Sequence, residues 1–375
     1  MSVAYHQGRF PPTDLDWPRL IPLIGPANAA VARYEGVLAG VPNPEVLLSP
    51  LVAQEAVLSS RIEGTQATLG EVFEFEATAD PNDESTPKKA DIREVLNYRR
   101  ALNEAIRLLD ELPLSQRLVR ATHAVLMDGV RGRNKAPGDY RAVPNWIGAP
   151  GCSAKDARFL PPGADVLPAA MDAWERFVHA DFPDRLVQLA IIHAEFEAIH
   201  PFLDGNGRLG RLLIPLFLFS QGLLARPNFY MSEFLEANRE EYYDRLLAVS
   251  AKDDWTGWCM FFLRGLIAQA ERNQRKAKAI VELYRERLDW IARHTGSQFS
   301  VRALEWMFGQ PIFSGPDFKR SAGIPPQTAE RILRIVRDEG LVRAIRTGRG
   351  RRSGIYVLTE LLDLVEGADG VDHHI

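Results

Sequence analysis

His200-Pro201-Phe202-Leu203-Asp204-Gly205-Asn206-Gly207-Arg208-Leu209-Gly210-Arg211 is the stretch on which the reading of this chain turns. Gly205-Asn206-Gly207 lets successive backbone N–H groups converge on one point, and the apolar run after it predicts a helix over about Arg208–Gln221. Convergent N–H groups at the positive end of a helix dipole form an anion site, with phosphate the expected anion. Arg208 and Arg211 are three residues apart, so they share a helical face and lean over the loop. Asp204 sets a carboxylate beside the site, the kind of oxygen donor that Mg2+ takes together with substrate phosphates. His200, at the end of the preceding helix, is an imidazole able to accept a proton from an attacking hydroxyl. Singly, each feature is weak, since a Gly-Asn-Gly is more often a turn and a lone histidine more often structural. Together, within twelve residues, a base, a metal ligand and a cationic cradle point to in-line displacement on a nucleotide phosphorus.

Working outward, helical spacing of apolar residues predicts helices over about Val166–His179, Arg185–Ile199, Arg239–Val249 and Trp255–Glu286. Towards the N-terminus, a proline-rich start (Pro11, Pro12, Pro18, Pro22, Pro26) precedes a short helix over Ala27–Leu38. Ser49-Pro50 then suits an N-cap and first-turn proline for a helix that runs to Gly64. A breaker-rich loop from Ala79 to Lys89 leads to helices over Asp91–Glu111 and from Leu114 onward, Ser115 being a candidate N-cap. The exception is Gly138–Gly148, where turn residues flank a short β-prone run, as in a hairpin or flap. The fold class is therefore mainly α with one small β element near the middle.

Length and composition set the frame for that class. At 375 residues the chain exceeds what one core usually serves, so two or three domains are expected. No apolar run approaches bilayer thickness, and the N-terminus has no secretory pattern, which makes a cytoplasmic location the default expectation. Cys152 and Cys259 lack metal-site or disulfide spacing. The net charge of −4 gives no overall reason to expect nucleic acid. The charge is uneven, however: Arg343, Arg346, Arg349, Arg351 and Arg352 fall between Gly340 and Ile355 without an acid. Four other histidines have bland readings: His193 as a core residue or one supporting the site from behind, His123 as a core residue, and His373-His374 as tail.

At every defined position, His200 to Arg211 matches HxFx(D/E)GNGRxxR, the motif of the Fic family, which the chain resembles. The resemblance implies a helical core with a β-hairpin flap and transfer of AMP from ATP-Mg2+ to a Ser, Thr or Tyr hydroxyl of a target protein. It implies His200 as base, Asp204 as metal ligand, Gly205, Asn206 and Gly207 as anion hole, and Arg208, Gly210 and Arg211 as the phosphate-contacting helix. Asn145-Trp146-Ile147-Gly148 is similar to the family's flap, which aligns the target by strand addition. Tyr242 is similarly placed to stack on the nucleotide base, with Ser250 standing where several members have an Asn contact. Finally, Ser59-Ser60-Arg61-Ile62-Glu63-Gly64 fits the (S/T)xxxE(G/N) pattern of the family's inhibitory helix, in which Glu63 would pair with Arg211 and spoil ATP binding.

Beyond about Trp290 the sequence predicts a helix, a turn at Gly323-Ile324-Pro325-Pro326 and a second helix, all within Phe318–Val342. Segments Leu341–Ile345 and Gly354–Leu358 then bracket an arginine-rich tip, the pattern of a winged helix-turn-helix with a nucleic-acid or protein partner. The expected division is 1–112 (helical, with the inhibitory motif at 59–64), 113–286 (catalytic core) and 287–375 (winged helix and tail). The resemblance also implies a homodimer. Open alternatives are another Fic-type transfer, removal of AMP, or a DNA-binding regulator whose core senses a nucleotide.

Overall fold

Helix follows helix because apolar residues recur at three- and four-residue spacings while breakers fall at the joints. The computed structural model describes residues 2–78, 87–129, 135–149, 151–346 and 353–367. Strand β1 (Val3–Ala4) precedes α1 (Trp17–Leu38), α2 (Pro44–Leu47), α3 (Ser49–Ile62), α4 (Leu69–Thr78), α5 (Pro87–Leu109) and α6 (Gln116–Leu126). After β2 (Phe159–Leu160) come α7 (Leu167–Val178), α8 (Arg185–Ile199), α9 (Asn206–Ser220), α10 (Ser232–Ala237), α11 (Arg239–Lys252) and α12 (Trp255–Thr295). The remainder is α13 (Ser300–Gly309), β3 (Ile312–Ser314), α14 (Gly315–Ser321), α15 (Pro326–Asp338), β4 (Arg343–Arg346), β5 (Ile355–Val357) and α16 (Thr359–Glu366). Among these described helices, none is long and apolar enough to cross a membrane.

The chain divides into two compact units that interleave along the sequence: 1–35, 58–64 and 97–271 form the first, and 36–57, 65–96 and 272–375 the second. In the first unit, α8 and α9 are the centre. Every residue of α8 from Leu186 to Ile199 is buried, and so is α9 from Asn206 to Leu218. A helix buried on all faces carries apolar residues all round, and of the polar ones these two segments bury, His193, Glu197 and Arg211 cluster about the candidate site. Each fully buried Leu or Ile contributes about 1.5–3 kcal/mol. Asp184 caps α8, its carboxylate accepting from the N–H groups of Leu186 and Val187 at 3.0 and 2.9 Å. Flanking helices are pinned by indoles: Trp174 of α7 donates to Ile192 O and Trp258 of α12 to Ala190 O.

Several local expectations change. Helix α1 starts at Trp17, ten residues before the predicted start, although Pro22 and Pro26 lie inside it. Pro18, Pro22 and Pro26 recur every four residues on the exposed face, so the carbonyls they leave unbonded meet water while Leu20, Ala27, Val31 and Tyr34 fill the core. Ser49 is the first helical residue of α3 rather than its cap, because Leu48 O already accepts from Leu51 and Val52. Ser115 does occupy the N-cap position of α6, but without a side-chain capping bond. Helix α12 runs on to Thr295, since no breaker precedes Gly296, which takes φ +54.

Of the hairpin or flap expected over Gly138–Gly148, the pairing present is at Ile147, whose partner Phe159 lies outside the segment. The β-structure of this unit is a two-residue parallel pair of β1 with β2, Val3 opposite Phe159, and an isolated antiparallel bridge between Ile147 and Phe159. Pro144 cannot donate to a ladder. Side chains hold the segment in its place: Arg141 donates to His200 O, Pro162 O and Ile199 O at 3.0, 2.6 and 3.3 Å.

In the second unit, β3, β5 and β4 form an antiparallel sheet in that order, with Ile312 and Arg343 both opposite Val357. Helix α4 packs on β3 and α2 on α13. Helices α14 and α15 are joined by a short turn containing Gly323, whose φ of +65 suits glycine. The arginine-rich tip is described only at Arg343 and Arg346; Arg349, Arg351 and Arg352, like His373-His374, lie outside the described residues.

Candidate active site

Helix α8 stops because His200 takes a left-handed conformation, φ 49 and ψ 60, and Pro201 follows it. The chain then turns through Phe202 to Asp204 and re-enters a helix at Asn206. Asn206 closes this turn with both ends of its amide, accepting from Phe202 N and donating to Phe202 O, each at 2.8 Å. His123 of α6 supports it from below: the imidazole stacks on Phe202 with centroids 3.7 Å apart and donates from Nε2 to Asp204 O at 2.9 Å. Its Nδ1 accepts from Gly138 N at 2.9 Å, and burial pushes its pKa down to about 4. A histidine used as both donor and acceptor in this way has to be neutral. Gly205, at φ +77, is required twice over, because a Cβ there would also press on Met127 Sδ at 2.8 Å.

His200 Nδ1 lies 3.3 Å from Glu197 O. A carbonyl only accepts, so Nδ1 carries the hydrogen and Nε2 keeps its lone pair. Burial pushes the His200 pKa down to about 4, against the opposing pull of the Glu197 carbonyl and of Glu63. The ring is therefore neutral at pH 7, the form a general base needs. Asn145 Nδ2 donates to His200 O and Phe202 O at 3.3 and 3.1 Å, fixing the backbone on which the imidazole is carried.

Arg211 is almost fully buried in α9 and is held from the end of α3. Its Nε donates to Ser59 Oγ at 2.9 Å, and its Nη2 donates to Ser59 O and to Glu63 Oε1, both at 2.8 Å. The Glu63–Arg211 contact is made through one carboxylate oxygen on Nη2, while Ser59 accepts from Nε and shares Nη2. Partial burial opposes ionisation of Glu63, but the charge and hydrogen bond of Arg211, helped by Arg208, outweigh it and hold the carboxyl below its ordinary range. The same Glu63 oxygen sits where a Cβ on Gly207 would be, over the N-terminus of α9. A carboxylate thus stands against Gly207, beside the helix N-terminus that the loop was read to offer a phosphate.

These groups open on one cavity of about 580 Å³, lined by Glu63, Trp146, Ile147, Gly148, His200, Gly207, Arg211 and Tyr242 among the residues expected at the site. It also takes in residues the sequence reading did not assign to the site: Glu197, Arg239, Tyr243, Leu246 and Leu247. Glu197 lies one helical turn before His200, a spacing that could have flagged it. Burial pushes its pKa up to about 7, and its Oε1 has no hydrogen-bond partner among the described residues. Arg239 reaches the end of α3, donating to Ile62 O at 2.5 Å, with its guanidinium 6.0 Å from the Tyr243 ring centroid.

Of the other expected residues, some line the cavity and some stand behind it. Tyr242 is buried, its hydroxyl bonded to His193 Nε2 at 2.9 Å, while His193 Nδ1 donates to Gly210 O at 3.1 Å. Gly210 itself must lack a side chain, since a Cβ would collide with Glu197 Oε1. Ser250 is not among the lining residues; its hydroxyl bonds His6 Nδ1 at 2.8 Å. Arg208 is buried with Nη2 3.6 Å from Asp204 Oδ1 and 3.7 Å from Met127 Sδ. Trp146, 44% exposed, ties its indole to Cys152 O at 2.9 Å.

Asp204 has a partly exposed carboxylate, with Oδ2 3.2 Å from Lys135 Nζ and Oδ1 accepting from Gly205 N at 2.7 Å. Among the described residues no cluster of three or more metal-ligating side chains exists. A single accessible carboxylate beside an anion site fits Mg2+, which keeps waters and takes phosphate oxygens for the rest of its shell.

Residues 21–107 match the Fic/DOC family N-terminal region and residues 113–218 the Fic/DOC family itself, together a little over half of the chain. A probable protein adenylyltransferase of Aquifex aeolicus is 36% identical over 91 residues, 24% of this chain and 26% of that protein. Protein adenylyltransferase Fic of Culex quinquefasciatus is 28% identical over 156 residues, 40% of this chain and 26% of that one. The matching stretch thus spans about a quarter of either relative, 26% in each case. The crystal structure of a Fic family protein from Desulfovibrio desulfuricans superposes with a TM-score of 0.58 at 19% identity, covering 92% of this chain and 98% of that one. With the motif complete from His200 to Arg211 and both parts of the family matched in order, the chain belongs to the Fic/DOC family.

Proposed function

We propose that this chain is a protein adenylyltransferase and that Glu63 restrains it. The observation that carries this reading is the convergence, on one cavity, of a neutral His200, the N-terminus of α9, Arg211 and the tyrosine-bearing helix α11. Triphosphate would lie along the N-terminus of α9 with Arg211 at its far end, and the adenine towards Tyr243, Leu246 and Leu247. Asp204 would hold Mg2+, whose chemistry is to neutralise charge on the bridged phosphates. His200 Nε2 takes the proton of a Ser, Thr or Tyr hydroxyl on the target protein as its oxygen bonds to the α-phosphorus. The bond from that phosphorus to the bridging oxygen breaks, and pyrophosphate leaves. Trp146 to Gly148, on the rim, is where we place the target segment.

The brake follows from competition. Glu63 takes a guanidinium N–H that a γ-phosphate would need and stands over Gly207, so ATP has to displace it or bind askew. We also read the second unit's end, α13, β3, α14, α15, β4 and β5 in order, as a winged helix-turn-helix.

The test is labelling of lysate proteins with α-labelled against γ-labelled ATP and Mg2+. Label should transfer from the α position alone, vanish in His200→Ala, and rise by roughly tenfold or more in Glu63→Gly, equivalent to at least about 1.4 kcal/mol. Transfer from the γ position would replace the reading with phosphoryl transfer. An unchanged rate in Glu63→Gly would remove the brake.

A further inference from the structure

We infer that the exposed face of α15, with the groove beside it, is a duplex-DNA binding surface, a function separate from the transfer site. The charge is concentrated there. Between Gly315 and Leu358 the sequence has ten Lys and Arg against four Asp and Glu, in a chain whose net charge is −4. A local basic excess on an acidic chain is the electrostatic footprint of polyanion binding.

The structure shows how part of that charge is presented. Helix α15 buries Ala329, Ile332, Leu333 and Val336 on one side and exposes Gln327, Glu330, Arg331, Arg334 and Arg337 on the other. Several of these cations are already used: Arg331 donates to Thr295 O at 2.8 Å, Arg337 binds Asp338 at 2.7 Å, and Lys319 lies 3.8 Å from Glu330. Arg334 and Gln327 are exposed and have no hydrogen-bond or ion-pair partner among the described residues. Both line a groove of about 620 Å³ whose other wall is Ser353, Gly354 and Tyr356 of the β5 side.

Geometry favours a duplex over an acidic peptide. Helix α15 is the second of two helices joined by a tight turn, and its charged residues and Gln327 are exposed among the described residues; a major groove about 12 Å wide admits such a helix. Gln327, in its first turn, is where a recognition helix presents side chains to base edges, and a glutamine amide matches the N6 and N7 edge of adenine. Arg334, two turns on, and Arg343 and Arg346 of β4 meet phosphates, which fix register without reading sequence.

The experiment is fluorescence anisotropy of the full-length protein with a fluorescein-labelled 20-base-pair duplex of random sequence, at about 50 to 200 mM salt, with a labelled poly-glutamate peptide and single-stranded RNA as competitors. Wild type should bind the duplex with a negative salt slope. Arg334→Ala should weaken it about tenfold and reduce the slope by roughly 0.9, the signature of one lost phosphate contact. Gln327→Ala should leave the slope unchanged while narrowing the difference between A-rich and G-rich duplexes. Circular dichroism and α-labelled transfer should be the same in both variants as in wild type, since neither residue lies at the transfer site. The inference is overturned if wild type does not bind the duplex, if Arg334→Ala binds it equally with an equal slope, or if the peptide or RNA competes at lower concentration than duplex. Loss of transfer in His200→Ala with duplex binding intact keeps the two functions apart.

Discussion

Glu197 and Glu63 are two carboxylates on one cavity whose environments push them in opposite directions. Arg211 holds Glu63 ionised, whereas burial pushes Glu197 up to about 7 from an ordinary 4.5. A carboxyl raised in the folded state gives stability that is full below about pH 4.5 and lost as pH climbs through about 7. Glu197→Gln should therefore gain on wild type in melting temperature from pH 5 to pH 8, the difference approaching about 3 kcal/mol. Equal melting curves across that range would mean that Glu197 is ionised throughout. For Glu63 the sign reverses, and its bond to Arg211 weakens as pH falls through its lowered pKa. Gly207 offers a second residue-scale test. Gly207→Ala puts a methyl into the Glu63 carboxylate position and 3.0 Å from Arg211 Nη1. It should break the Glu63 contact without restoring transfer, because it fills the anion position as well, and labelling should stay at least about tenfold below Glu63→Gly.

At the scale of elements, the end of α3 carries the proposed brake, although it precedes α9 by more than a hundred residues in sequence. Arg211 grips Ser59 twice and Glu63 once, and Arg239 adds a bond to Ile62 O at the negative end of the helix. Ser59→Ala removes one of these bonds and leaves Glu63 in place. Its basal labelling should lie between wild type and Glu63→Gly, up by about fivefold for a bond worth roughly 1 kcal/mol; labelling equal to wild type would confine the brake to Glu63. The elements differ in how readable they were. Helix α8 was predicted to the residue, since a polar cap and His200-Pro201 bound a segment rich in apolar residues. The motif from His200 to Arg211 was equally legible, because its chemistry is local. Helix α1 was shortened by prolines whose harmlessness depends on facing solvent, a tertiary fact. The flap was read as a hairpin from its turn residues, whereas Arg141 and Asn145 secure it by bonds to carbonyls around residue 200. Arg239 and Tyr243 were not assigned to the site because only folding brings α11 to the end of α3.

For the whole molecule, buried histidines set the acid limit. His123 is pushed down to about 4 and His193 to about 3, both mainly by burial. Groups depressed in this way stabilise the fold above their ordinary pKa near 6.5, and that stability is lost as pH falls towards 4. Between pH 4.5 and 6.5 they and His200, which burial also pushes down to about 4, oppose Glu197, and three histidines outweigh one carboxyl. Calorimetry should show a melting temperature that drops steadily below pH 6.5; a flat profile down to pH 4 would contradict the neutral, buried state of these rings. His200 brings a different liability. Its left-handed backbone costs an L-residue about 1–2 kcal/mol, which glycine escapes. His200→Gly should melt about 1–3 °C higher than wild type while transferring nothing. The position we propose as the base is thus one where sturdiness and usefulness pull apart, and a lineage released from the need for catalysis would drift here first, towards a firmer and silent protein.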